Sequence, residues 1–277
     1  MKVQVVSLRS NNFKEQFVNS VMETGFAVVT NHGIDFGLIK DAQDVWKHFF
    51  TNPPAVKEYF TNKEDPNLGY IGFGKEKAVG ANKADLKEWY HWRPGGHIPS
   101  DALNVTQKLF HLMESDLAPQ FLKALNGIGS NMDYAEICNG SDNTILRTLY
   151  YPALNTLDFE EGAVRSAAHE DINFITLLVA ATSSGLQVQD KAGNWHNVPH
   201  EENSLVVNIG DSLQLASGGV LKSTTHRVTN PANSNADRIS MPMFIHPKRE
   251  TILAPGVTAQ QYLVQRLQAI YQKGYSK

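Results

Sequence analysis

The 277-residue sequence contains a single cysteine, Cys138, which excludes both an internal disulfide and a multi-thiolate zinc site. That scarcity fits a reducing compartment. No stretch approaches the roughly 18 consecutive apolar residues needed to span a bilayer. Met1-Lys2-Val3-Gln4-Val5-Val6 is too short and too soon interrupted for a signal peptide. Charge of one sign never accumulates: the formal net charge is −3, and no basic stripe offers itself to nucleic-acid phosphates. Internal repeats, low-complexity segments and obvious linkers are also missing. These absences predict a soluble, cytoplasmic protein with no nucleic-acid partner and no membrane partner. At 42% hydrophobic and 19% charged residues, the chain is an ordinary globular one, long enough to bury a large core.

The first half of the chain reads as mainly helical. Val3 to Leu8 resembles a strand. Residues 13–24 read as a helix, with Phe13, Phe17 and Val21 four apart and Gly25 as its stop. Phe26 to Thr30 reads as a buried strand closed by Asn31-His32-Gly33. A helix over 35–50 runs until Pro53-Pro54 ends it. Residues 61–100, rich in Gly, Pro and Lys, read as irregular, and a long helix is expected over 101–126. After residue 143 short β-rich runs take over, at about 144–151, 174–181, 185–189, 204–209, 224–228 and 238–245. Lys191-Ala192-Gly193-Asn194 is a hairpin signal between two of them. Many short strands with turn punctuation indicate a barrel or a double-sheet jelly roll. A closing helix over 258–273 carries a capping-box pair, Thr258 and Gln261, and an apolar face of Leu263, Leu267, Ile270 and Tyr271.

Strand geometry gives the histidines a meaning. Side chains at i and i+2 share a face, so a His-x-Asp step at a strand end delivers an imidazole and a carboxylate to one point. A third ligand from a distant strand would complete a facial set with open positions, which suits iron(II). Of the ten histidines only two begin a His-x-acid pattern. His169-Glu170-Asp171 stands before the apolar run Phe174 to Val179; His200-Glu201-Glu202 lies in a polar stretch and reads as a solvated turn. His226, in the strand-like Thr224 to Val228, is a candidate third ligand or a core histidine bonded across a sheet. Arg238 and Ser240 share a face in the same way. They read either as a surface Arg with a strand Ser or as a fork and hydroxyl for a carboxylate.

The order of motifs decides between these readings. Asn31-His32-Gly33-Ile34, Asp85-Leu86-Lys87-Glu88, Tyr150-Tyr151-Pro152, His169-x-Asp171 with Thr176-Leu177-Leu178, Gly185 to Val188, Gly193-Asn194-Trp195, Val206 to Asp211, Lys222 to Val228, and Arg238-Ile239-Ser240 follow one another along nearly the whole chain. In this series the sequence resembles the isopenicillin N synthase-like family of iron(II)/2-oxoglutarate-dependent dioxygenases. The resemblance implies an α+β protein with a mainly β core. That core is a double-stranded β-helix (jelly roll) flanked by helices, with an N-terminal α/β extension. It also implies one oxygenase domain over 1–277. In it, 1–142 is a helical and mixed part packed on the core, 143–250 the jelly roll with the iron site, and 251–277 the C-terminal helix.

Carried over residue by residue, the resemblance makes His169, Asp171 and His226 the catalytic iron ligands. Arg238 and Ser240 would hold the distal carboxylate of 2-oxoglutarate, and Tyr151 would bond the same co-substrate. Many relatives have Asn two residues before that tyrosine, where this chain has Leu149. Iron(II), 2-oxoglutarate and dioxygen are the implied cofactors, with ascorbate as an optional reductant. The implied reaction decarboxylates 2-oxoglutarate to succinate while a small-molecule substrate is hydroxylated, desaturated or cyclised. Asn208, Gly210 and Asp211 read as turn-shaping, His32 as a backbone bridge, and Asp85, Lys87 and Glu88 as a solvated edge without a catalytic role. The expected substrate-pocket residues are Tyr70, Phe73, Trp89, Tyr90, Trp92, Arg147 and Phe244, with Arg147 either a carboxylate anchor or a salt-bridged surface residue. Two rivals stand beside this reading: an oxidase on the same scaffold that uses no 2-oxoglutarate, and a non-catalytic ligand-binding jelly roll.

Overall fold

A computed structural model describes residues 1–65, 67–76, 83–231 and 236–274, with side chains as far as Ala269. Its largest element is an eight-stranded sheet. In spatial order this contains β1 (Val5–Ser7), β2 (Phe26–Thr30), β10 (Leu205–Ile209), β7 (Ile175–Val179), β12 (Arg238–Ile245), β5 (Ile145–Tyr151), β4 (Glu88–Trp92) and β3 (Gly69–Ile71). A four-stranded sheet runs β6 (Ser166–His169), β11 (His226–Val228), β8 (Leu186–Gln189) and β9 (Trp195–Asn197). Val188 from the small sheet and Val198, just past β9, meet Phe26, Val28, Leu178 and Val206 from the large one. The other face of the large sheet packs on helices. These are α1 (Phe13–Thr24), α2 (Phe36–Phe50), α4 (Ser100–His111) and α5 (Ala118–Leu125), whose Phe17, Trp46, Leu109 and Phe121 join Leu177, Val207 and Met241. Period-two alternation sorts the strands: Ile239, Met241 and Met243 of β12 face the helices, so Arg238 and Ser240 face the interior of the roll.

Several elements match the sequence expectation closely. α1 ends at Gly25, whose φ of 73° and N–H to the Val21 carbonyl make a left-handed cap. Asp35 caps α2 by accepting from Gly37 N at 2.6 Å and Leu38 N at 3.3 Å. The hairpin at 191–194 joins β8 to β9, with Asp190 Oδ1 accepting from the N–H groups of Ala192 and Asn194. Thr258 and Gln261 form the expected reciprocal pair, at 2.9 and 3.2 Å, at the start of α8 (Ala259–Gly274). The Ile270 and Tyr271 side chains of its expected face lie outside the described residues.

Three expectations are corrected. The segment 61–100 is not wholly irregular: β3 and β4 extend the large sheet by pairing β4 with β5. The helix expected over 101–126 does run without a gap from Ser100 to Leu125, but not as one α-helix: a π-helical turn at Leu112–Leu117 lies between α4 and α5. Pro119 explains the turn, because it has no N–H to donate and its ring collides with the carbonyl four residues back. Asp85, Lys87 and Glu88 are buried rather than solvated. Lys87 Nζ lies 2.8 Å from Asp85 and 2.9 Å from Glu76, while Glu88 accepts from Lys57 at 2.7 Å and from the Tyr70 hydroxyl. Among the described residues no helix is long and apolar enough to cross a membrane.

Candidate metal and co-substrate centre

β6 and β11 are adjacent antiparallel strands, and their register sets His169 directly opposite His226. The two rings lie 4.4 Å apart between centroids, and the edge of Phe26 meets His226 at 5.3 Å. Each imidazole is oriented from behind. His169 Nδ1–H donates to the Ala167 carbonyl at 2.8 Å, and His226 Nδ1–H donates to the Thr224 carbonyl at 3.1 Å. A carbonyl can only accept, so both rings carry a proton on Nδ1 and turn Nε2 forward.

Asp171 closes the set. Its Oδ1 lies 3.8 Å from His169 Nε2 and 3.7 Å from His226 Nε2. The ligand atoms of the three residues all lie within 4.8 Å of one another. Its Oδ2 is committed elsewhere, accepting from Thr176 Oγ1 at 2.5 Å and Asn208 Nδ2 at 2.9 Å. Thr176 and Asn208 are cross-strand partners of β7 and β10, so sheet register aims both donors at one oxygen. Asn208 therefore orients a carboxylate rather than shaping a turn, which corrects the sequence expectation. Burial favours a neutral Asp171, but His226, His169 and the two hydrogen bonds outweigh it and lower its pKa. Burial, then the neighbouring His226, lowers the His169 pKa to about 4. Two imidazoles that turn Nε2 forward and one carboxylate, each fixed from behind, fit a divalent transition metal.

Gly210 and Asp211 lie directly behind this cluster. A Cβ at Gly210 would collide with the Asn173 carbonyl, so the turn needs glycine. The Asp211 N–H donates to the Asp171 carbonyl at 2.8 Å. Its carboxyl does more than shape the turn: it opens α7 (Asp211–Ala216) and meets Arg266 of α8 at 2.7 Å. Burial, only partly offset by Arg266, raises its pKa to about 6.

Arg238, Tyr151 and Ser240 come together on the same interior face, with Tyr151 and Arg238 registered partners across β5 and β12. The Arg238 guanidinium lies 5.1 Å from the centre of the Tyr151 ring. Its Nε donates to the Ser183 carbonyl at 3.0 Å, and its buried Nη1 has no partner among the described residues. Leu149 packs with Trp89, Tyr151 and Ile71, so an apolar cluster occupies the position where many relatives carry Asn.

A cavity of about 320 Å³ opens in front of His169 and Asp171. Of the expected pocket residues, Trp89, Arg147 and Phe244 line it. Tyr70 and Phe73 instead line a separate cleft with Lys57 and Glu88, and Tyr90 and Trp92 belong to the core against the helices. Arg147 stacks 4.4 Å from Trp89 and 5.3 Å from Phe244, donates from Nε to His91, and reaches Glu76 at 3.4 Å. Sequence reading missed His91 and His246 on the same wall; alternation from Phe244 to His246 along β12 and its exit was the available signal. His32 bridges backbone as expected, donating to the Asn203 carbonyl at 3.0 Å and accepting from Ile34 N at 3.2 Å. His200 is exposed and bonded to the Ala181 carbonyl at 2.8 Å.

Comparison with known proteins separates a metal-binding jelly roll from an oxygenase. Residues 143–247 match the model of the 2OG-Fe(II) oxygenase superfamily, and residues 4–114 match that of the non-haem dioxygenase in morphine synthesis N-terminal region. The chain is 30% identical over 277 residues to a flavonol synthase/flavanone 3-hydroxylase of Eustoma exaltatum, covering 92% of this chain and 79% of the relative. The chain belongs to the 2OG-Fe(II) oxygenase superfamily. A Shewanella oneidensis structure described as an oxygenase superposes on this superfamily member with a TM-score of 0.84 and 37% identity, over 97% of this chain and 98% of that one. A Neurospora crassa protein, solved at full length in complex with alpha-KG and thymine, matches with a TM-score of 0.79 and 25% identity over 97% of each chain. This 2OG-Fe(II) oxygenase is thus a jelly-roll enzyme that uses iron(II) and 2-oxoglutarate.

Proposed function

We propose that His169, Asp171 and His226 hold the iron, that Arg238, Ser240 and Tyr151 hold 2-oxoglutarate, and that the cavity in front of His169 and Asp171 takes a small-molecule substrate for oxidation. The observation that carries this reading is the division of labour at Asp171. One oxygen is saturated by Thr176 and Asn208, and the other faces two Nε2 atoms whose rings are locked by backbone carbonyls. When bound there, iron supplies the redox chemistry with dioxygen, and 2-oxoglutarate is the reductant converted to succinate and carbon dioxide.

The residues of the chain position and exclude. Thr176 and Asn208 aim the Asp171 carboxylate, and the Ala167 and Thr224 carbonyls fix both imidazoles with Nε2 toward the metal. Arg238 supplies a buried cation for the distal carboxylate in a site where water does not compete. Trp89 and Phe244 wall the substrate cavity, and Arg147, held edge-on by His91, offers a guanidinium to an acidic group of the substrate. The order of motifs along the chain supports the isopenicillin N synthase-like branch. The test is uncoupled turnover: iron-loaded protein given 2-oxoglutarate and dioxygen forms succinate slowly without a prime substrate, and Arg238→Met raises the 2-oxoglutarate KM by roughly tenfold or more. Absence of succinate from iron-loaded protein, or an unchanged KM in the variant, contradicts the assignment.

A further inference from the structure

A second buried arginine lies beside the proposed co-substrate residues without any role in the site described so far. Arg165 immediately precedes β6, and alternation puts it on the same strand face as Ala167 and His169. Its side chain is fully buried. The guanidinium lies 5.9 Å from the centre of the Tyr151 ring, which Arg238 also approaches, at 5.1 Å. Its Nη2 donates to the carbonyl of Ala236, two residues before Arg238, and Asn230 Oδ1 accepts from its backbone N–H at 3.0 Å. Arg165 is thereby anchored to the chain that leads into β12.

Charge is the anomaly. Among the described residues neither Arg165 nor Arg238 has a carboxylate within 4.0 Å, although both are buried and both border one tyrosine ring. The nearby Asp237 is paired with Lys47 at 2.8 Å. Burial, then the charge of Arg238, lowers the basicity of Arg165. Tyr151 and Asp237 offset only part of this; two guanidiniums without a contacting carboxylate in a dry interior are costly, and an anion between them removes that cost. The orphaned donors match such an anion: Arg165 Nε and Nη1 and Arg238 Nη1 are buried without partners among the described residues. Because Ser183 takes Nε of Arg238, that residue cannot offer its side-on edge. A carboxylate has room for about four donors, more than Arg238 alone has left.

We propose that Arg165 is a second guanidinium for the distal carboxylate of 2-oxoglutarate, so that the co-substrate site is a two-arginine clamp around Tyr151. The inference rests on the placement of 2-oxoglutarate at Arg238, Ser240 and Tyr151. It makes Arg165 a specificity-determining residue, one that separates 2-oxoglutarate from 2-oxo acids lacking the far carboxylate.

The experiment is calorimetric binding to manganese-loaded protein, which does not depend on turnover. The ligands are 2-oxoglutarate and 2-oxopentanoate, the same carbon chain without the distal carboxylate. Wild type is expected to prefer 2-oxoglutarate strongly. Arg165→Gln is expected to narrow that preference by about tenfold or more, the worth of a charge-assisted hydrogen bond, while binding of 2-oxopentanoate stays as in wild type. Arg165→Lys, which keeps the charge without the fork, should recover part of the preference and serves as the test should the glutamine variant not fold. A preference in either folded variant equal to that of wild type, or equal losses for both ligands, overturns the clamp and leaves Arg165 a structural brace. Wild type with no preference between the ligands overturns the placement of 2-oxoglutarate itself, and the clamp with it.

Discussion

Asp171 uses its two oxygens for different ends, and that asymmetry can be tested one side chain at a time. Thr176→Val removes a 2.5 Å donor from Oδ2 while keeping shape and strand preference. Loss of such a supporting hydrogen bond is expected to weaken metal binding about 10- to 100-fold, read by titrating metal into the apoprotein. Unchanged affinity would mean that Thr176 does not orient the ligand. His246 makes a pH prediction. Burial lowers its pKa from 6.5 to about 4, only partly opposed by Asp171. Between those values the unfolded chain holds a proton that the native imidazole does not, so its share of stability is complete above pH 6.5 and is lost as pH falls toward 4. Urea unfolding of the metal-free protein should therefore lose roughly 1.4 kcal/mol per pH unit more in wild type than in His246→Gln across that window; parallel slopes would contradict it. At this scale the candidate pair His169 and Asp171 was legible because i and i+2 on a strand share a face. Thr176 and Asn208 were not legible as partners of Asp171, since their meeting depends on a β7–β10 register that no local pattern states.

Elements carry the next set of consequences. α1 and β2 meet at Gly25, whose φ is 73° and whose added Cβ would sit 2.9 Å from the Lys222 carbonyl and closer still to the Thr224 side chain. Gly25→Ala thus strains the cap and pushes on the segment whose Thr224 carbonyl orients His226. A loss of about 2 kcal/mol or more in unfolding free energy, together with weaker metal binding, is expected. Asp35→Ala, which only uncaps α2, should cost about 1 kcal/mol and leave metal affinity alone. The comparison of the two by urea denaturation and metal titration separates a cap from a cap that also supports the site. Elements with clean periods, α1, α2 and β12, and the continuous apolar run of β2 were readable at nearly their true limits. β4 was hidden because Glu88-Trp89-Tyr90-His91-Trp92 follows a Gly- and Lys-rich stretch, and its second face packs on helices rather than facing water. The π-helical turn was hidden because the apolar face continues through it, and only Pro119 marks it.

At the scale of the whole molecule, the N-terminal part is woven into the catalytic roll. β2 pairs with β10 on one flank and β4 pairs with β5 on the other, so both flanks of the central strands are supplied from before residue 143. We propose that residues 1–277 fold as one oxygenase domain. Removing 1–142 would bare the edges of β10 and β5 and the apolar face now covered by the helices. The 143–277 fragment is therefore expected to be unfolded or aggregated by circular dichroism and light scattering. A soluble fragment that binds metal with wild-type affinity would contradict this.

The most direct test of the account is an anaerobic titration of the apoprotein with iron(II) and 2-oxoglutarate, followed by visible absorption. Wild type should develop a charge-transfer band at one equivalent of iron if, as proposed, His169, Asp171 and His226 hold the metal onto which the 2-oxo acid chelates. His226→Ala, folded and under the same conditions, should not develop it. A band of full intensity at stoichiometric iron in that variant would show that the metal lies elsewhere.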